Sequence, residues 1–118
     1  MKVVINDDFG GFGLSDKAFE KLLERKGIAF EKVHNDKYDM VHYYQAGHVK
    51  DDDHYLSPYD FYNDRADVDL IAVVEELGKE AQGNYASLSI IEIPDGIEWQ
   101  VVEYDGMEHI AEKHRTWR

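Results

Sequence analysis

The sequence predicts an α+β fold: an antiparallel or mixed β-sheet packed by two α-helices, with a short further helix at the C-terminus. Three observations carry this expectation. β-Branched or alternating apolar runs recur at Val3–Ile5, Leu88–Ile93 and Ile97–Val101, and such runs suit strands. Two other segments, Phe19/Leu22/Leu23 and Leu70/Val73/Val74/Leu77/Ala81, repeat apolar residues at helical spacing. Turn signals at Pro94-Asp95-Gly96 and Asp105-Gly106 then divide neighbouring runs, because proline fixes φ and glycine supplies positive φ.

Taken in order, Met1 to Asn6 reads as a strand and Asp7 to Leu14 as a glycine-rich turn. Ser15 is a good N-cap, Asp16 suits the first turn of a helix, and Gly27 is a natural residue just past its end. Phe30 to His34 and Met40 to Gln45 each fit a strand, separated by the turn-like Asn35-Asp36-Lys37. From Lys50 to Asn63 the chain is polar and tyrosine-rich, so an irregular excursion is expected, and pattern alone does not specify the fold of residues 35–66. A helix is expected from Asp67 to Gln82, closed by Gly83. Leu88–Ile93 and Ile97–Val102 read as one antiparallel hairpin, and Met107, Ile110, Ala111 and His114 as the short terminal helix.

With 118 residues, 43% of them hydrophobic, the chain is long enough for a single domain over 1–118 and too short for two. It has no cysteine, which removes disulfides, thiolate metal sites and a cysteine nucleophile together. The N-terminal run turns acidic at once and reads as carrying no signal peptide, and no apolar stretch approaches a membrane span. A soluble, cytoplasmic protein is the expectation. The formal net charge of −12 repels duplex DNA and anionic membranes over a Debye length of about 8–10 Å. Direct duplex binding is therefore not expected. Such a surface serves solubility, attracts a basic partner, or imitates nucleic-acid phosphates.

Four places could carry chemistry. The turn Phe9-Gly10-Gly11-Phe12-Gly13-Leu14-Ser15 leads from a strand into a helix N-terminus, a setting that favours an anion and makes Phe12 and Ser15 candidate ligand residues. It is neither a Walker A loop nor a dinucleotide fingerprint, and Asp7, Asp8 and Asp16 oppose a phosphate. A tight strand-to-helix connection that needs glycine conformations, with Ser15 as its cap, is the reading this balance of charges favours. His109, Lys113, His114, Arg115, Trp117 and Arg118 make the one locally cationic stretch, where Arg115 could grip a phosphate while Trp117 stacks on a base. A docked terminal helix explains the same residues. Arg65 could be a second phosphate clamp, or an ion-pair partner for Asp64 or Asp67, and Trp99 offers another stacking surface. Finally, His48 with Asp51–His54, and Glu108, Glu112 and His114, offer hard ligands without a recognised metal spacing. No metal or cofactor is expected. No serine lies in a nucleophile-elbow context, so no catalytic residue is assigned and a non-enzymatic protein is expected.

Gly10-Gly11-Phe12-Gly13-Leu14-Ser15, Glu92-Ile93-Pro94-Asp95, Trp99, Glu103-Tyr104-Asp105-Gly106 and His114-Arg115-Thr116-Trp117 resemble a group of small phage and prophage proteins. Those proteins share a GGFxLS turn and an EIPD…W…EYDG…HRTW ending. The resemblance covers the first 27 residues and roughly the last 50. In size and α/β pattern the chain is also similar to the phage Thoeris anti-defence proteins of the first type, oligomeric sponges that sequester cyclic ADP-ribose-type signals. That likeness implies a homo-oligomer in a bacterial host that binds a small cyclic nucleotide-type ligand without turnover. The ligand residues Arg65, Trp99, His114, Arg115, Trp117, Phe12 and Ser15 are chosen from their own chemistry. The alternative is an acidic interaction protein that inhibits a host nucleic-acid-binding enzyme by imitating DNA charge.

Overall fold

A computed structural model describes residues 1–112. The order is β1 (Lys2–Asn6), α1 (Asp16–Arg25), β2 (Phe30–Asn35), β3 (Met40–Gln45), α2 (Val68–Leu77), β4 (Leu88–Glu92), β5 (Trp99–Tyr104) and β6 (Met107–Glu112). Short 3₁₀ turns at Asp52–His54, Pro58–Phe61 and Gly78–Ala81 fill the connections. The strands form three antiparallel pairs, β1–β4, β2–β3 and β5–β6. The expected α+β class, with antiparallel strands packed by two helices, is what the chain adopts. Among the described residues no helix is long and apolar enough to cross a membrane.

The β1–β4 ladder is the middle layer. Successive side chains of a strand point to opposite faces, and β1 is buried on both. Val4 joins a cluster with Phe19, Leu22 and Leu23 of α1 and Leu70, Val73 and Val74 of α2. Val3 and Ile5 face the other way, onto Ile93, with Ile97, Trp99 and Ile110 packed against them. The helices thus cover one face and the β5–β6 hairpin the other. Full burial of each large apolar side chain contributes about 1.5–3 kcal/mol, so the continuous Val3-Val4-Ile5 run follows from the strand's central place.

Local signals set the helices. The Ser15 hydroxyl accepts the Ala18 N–H to begin α1, and Asp67 accepts the Leu70 N–H to begin α2. Lys21–Glu76 and Arg25–Asp69 pairs join the two helices, Lys26–Asp67 joins their cap residues, and Lys17–Glu80 ties α1 to the 3₁₀ turn after α2. Such exposed pairs contribute about 0–1 kcal/mol each. The expected helix to Gln82 is shorter. Gly78 takes φ +57 and ends α2 at Leu77, and a 3₁₀ turn carries the chain on to Ala81.

Two further expectations are corrected. Leu88–Ile93 does not pair with the strand after Pro94. β4 runs against β1, from Lys2 opposite Glu92 to Asn6 opposite Leu88, because β1 needs a ladder partner between the two clusters. The expected C-terminal helix is also a strand over its described part. Asp105 and Gly106 take φ +52 and +90, which makes a two-residue hairpin turn of the kind that matches strand twist, and β6 returns along β5 from Met107 opposite Tyr104. Alternation then turns Glu108 and Ile110 inward together, a period of two that the helical spacing of Met107, Ile110 and Ala111 had masked.

Both β2 and β3 form within a residue of their expected bounds. Near their connecting turn His34 bonds Asp36 and Asp39 at 2.8 and 3.0 Å. Asp39, then Asp36, raises the imidazole pKa above its ordinary value of 6.5. The favourable pairing is present below that value and is lost as pH rises through the raised pKa. An NMR titration should therefore place the His34 midpoint above 6.5, and Asp39→Asn should lower it. A second prediction separates backbone strain from crowding. Gly47 has φ +77 with open space around it, whereas a Cβ on Gly106 would strike the Phe9 carbonyl and the Gly11 nitrogen. In urea unfolding Gly47→Ala should cost about 1–2 kcal/mol for the left-handed backbone alone. Gly106→Ala should cost a further 1–3 kcal/mol or so from overpacking.

Candidate functional site

The glycine turn sits at the junction of three segments, and its glycines serve close backbone approach. A Cβ on Gly10 would collide with the Tyr85 backbone. Gly83 lies against Gly13, and its N–H donates to the Gly13 carbonyl at 2.9 Å. Leu14 N–H donates to the Tyr62 hydroxyl at 3.0 Å and Ser15 N–H to the Ala81 carbonyl at 2.9 Å. The Ser15 hydroxyl also donates to the Glu80 carbonyl, at 2.5 Å, while it caps α1. These bonds give Ser15 a structural task and account for the turn as a tight connection.

Arg65 is engaged in the same region. Its two terminal nitrogens bind both Glu108 oxygens, at 2.5 and 2.9 Å, and its Nε donates to the Tyr62 carbonyl at 2.7 Å. The side chains are only 12% and 5% exposed, so this is a buried, bidentate pair. The guanidinium also lies 3.7 Å from the Phe12 ring centroid. Arg65 is thus an ion-pair partner, to Glu108 rather than to Asp64 or Asp67, and its fork is aimed at that carboxylate. Asp64 instead accepts the Ala66 N–H, and Asp67 caps α2 and binds Lys26.

In front of Phe12 opens a cleft of about 520 Å³. Its floor is the glycine turn, and its walls are Tyr55, Tyr59 and Tyr62, Tyr85 with Asn84, and Met40 and His42 from the start of β3. Asp16 stands at one side. The rings brace one another edge to face: Phe12 meets Tyr62 at 4.8 Å and Tyr62 meets Tyr59 at 5.6 Å. Tyr59 and Tyr85 are 74% and 77% exposed, so their ring surface is available to a ligand. Burial raises the Tyr62 phenol above the usual tyrosine range despite the opposing Leu14 hydrogen bond. Burial also raises that of Tyr55, with Tyr44 and Tyr59 adding to it. Both hydroxyls therefore stay neutral through the physiological range.

Of the described residues chosen from sequence, only Phe12 lines this cleft, with Arg65 stacked on its ring. Ser15 caps α1, and Trp99 lies in the second cluster, on the hairpin side of the β1–β4 layer. His114, Arg115 and Trp117 fall outside the described residues, as does any convergence of Arg115 with Arg65. Sequence reasoning noticed the density of Tyr55, Tyr59 and Tyr62 without placing them. It missed Tyr85, whose only local signal is its place after Gly83-Asn84. Among the described residues no group of three or more histidine and carboxylate side chains is arranged to hold a metal. His48 and His54 stack at 4.6 Å, and Asp51 binds the His54 ring at 2.7 Å.

Breaking one half of a buried ion pair costs about 3–5 kcal/mol, because a charge is left without its partner. Arg65→Met should lower stability to urea by roughly that amount. Arg65→Met combined with Glu108→Gln should recover part of the loss, because no charge is left unpaired and the glutamine carbonyl still accepts the Asn6 N–H. Retention of full stability by Arg65→Met alone would show that the pair does not hold this junction together. In comparisons with family models, curated proteins and solved structures, none matches the chain.

Proposed function

We propose that this chain is a non-enzymatic binding protein that sequesters a small nucleotide-type ligand, and that the base of that ligand enters the tyrosine-walled cleft. The observation that carries the proposal is the gathering of Phe12, Tyr55, Tyr59, Tyr62 and Tyr85 around one opening. Its volume of about 520 Å³ falls in the range of small-molecule sites. Stacking on aromatic faces holds bases without requiring their edges to be read. The sequence resemblance to anti-defence sponges supports the same class of ligand and adds a homo-oligomer acting in the host cytoplasm.

The phosphate contacts first assigned to Arg65 do not belong to this proposal, because Glu108 already neutralises that side chain. Phosphates of a bound nucleotide face solvent or meet a cation from elsewhere in the assembly. The alternative of an acidic protein imitating DNA draws support from the net charge of −12. The lysine and arginine pairs along α1 and α2 count against it on that face.

Calorimetry with cyclic ADP-ribose isomers, cyclic oligonucleotides and adenosine tests the proposal. At least one should give a heat of binding. Tyr59→Ala and Tyr85→Ala should each weaken that binding by about 1–3 kcal/mol, the contribution of one stacked ring, while leaving the unfolding midpoint nearly unchanged. Absence of heat with every probe, at protein concentrations well above micromolar, would falsify it.

A further inference from the structure

We infer that the cleft selects a planar ligand whose ring carries a positive charge over the neutral ring of the same shape. This rests on the proposal that the cleft is the binding site, and it names the class of ligand. Aromatic faces present the negative side of their quadrupole, so a wall of phenylalanine and tyrosine attracts a cation more strongly than a neutral ring. Three features of this cleft point the same way.

The first is its ionised groups. Among the described residues lining the cleft, Asp16 is the one carboxylate, and none is lysine or arginine. His42, the remaining titratable side chain beside the tyrosines, sits on the β3 wall with its ring 5.9 Å from that of Tyr55. Asp16 lines one side of the opening, and its charge opposes ionisation of the Tyr62 phenol while that of Arg65 favours it. The second feature is a cation already held by this aromatic group. The Arg65 guanidinium lies 3.7 Å from the Phe12 centroid, a distance at which the ring stabilises positive charge. Glu108 binds both terminal nitrogens of Arg65 and offsets its charge in part, which reduces its repulsion of a second cation in the cleft. The third is the whole-chain charge of −12, which concentrates cations at the surface and lowers the local concentration of anions. A free phosphate inside the walls would meet Asp16 and find no lining cation. A ring bearing a quaternised nitrogen meets π faces and a carboxylate.

The test compares adenosine, 1-methyladenosine, whose ring is cationic at neutral pH, and adenosine monophosphate, by calorimetry at low salt. The expected order is 1-methyladenosine about tenfold tighter than adenosine, with the monophosphate weaker than both. Asp16→Asn should narrow the ratio between 1-methyladenosine and adenosine. Raising the salt concentration should narrow it too, because screening acts on the charged ligand alone. Equal affinity for adenosine and 1-methyladenosine would overturn the charge selection and leave the cleft standing as a site for bases. An unchanged ratio in Asp16→Asn would overturn the carboxylate's part in it. Binding of none of the three, nor of the cyclic nucleotides, would remove the site itself.

Discussion

The free edge of β1 is the constraint on which the rest of the structure depends. One edge of this strand is paired with β4, and the other is left with N–H groups that burial would orphan. Val4 N–H donates to the Arg65 carbonyl at 2.9 Å, and Asn6 N–H donates to the Glu108 carboxylate at 2.9 Å. Arg65 then clamps Glu108 with its own side chain, so one residue closes the edge twice, through its backbone and through its fork. The Asn6 amide completes the arrangement. It donates to the Asp8 and Gly106 carbonyls and accepts the Ser87 N–H. Asn6 is fully buried, and no buried side-chain polar atom among the described residues lacks a partner. A half-satisfied network at this depth would cost more than an apolar core.

This junction also determines where binding can occur. The glycine turn leaves β1 at Asn6, passes between Tyr85 and the β5–β6 turn, and delivers Phe12 to the cleft. Arg65 presses on the back of that ring while Tyr62 meets its edge. The cleft is therefore built on the buried ion pair without exposing it. A cation spent on holding the scaffold is not available to a ligand, and the lysines laced along the helices are spent in the same way. That economy makes an aromatic site the natural one in so acidic a chain.

What the sequence made legible is local. Ser15, Asp67 and Gly27 mark helix ends because capping is decided within a few residues. The strand–turn–helix of the first 27 residues and the β2 and β3 strands follow from short-range pattern in the same way. What was hidden depends on distant partners. The choice of β1 over β5 as the neighbour of β4 is made by two clusters on opposite faces of one strand. The terminal strand was read as a helix because a buried glutamate breaks the apolar alternation unless its arginine, 43 residues earlier, is known. The cleft draws its tyrosines from two separate loops, and only the fold brings Tyr85 beside Tyr59 and Tyr62.

The span of these contacts also bears on how the chain comes into being. Met1 meets Ile93 across 92 residues, and Asn6 meets Glu108 across 102. Loop closure on that scale must precede its reward, which slows folding. During synthesis the β2–β3 hairpin can close alone, and the two helices can meet once α2 is made. β1, the most deeply buried strand, must wait for its partners β4 and β6 to emerge. Until then Val3, Val4 and Ile5 are an unpaired sticky edge, and the acidic residues that follow at Asp7 and Asp8 act as its gatekeepers against pairing with another nascent chain.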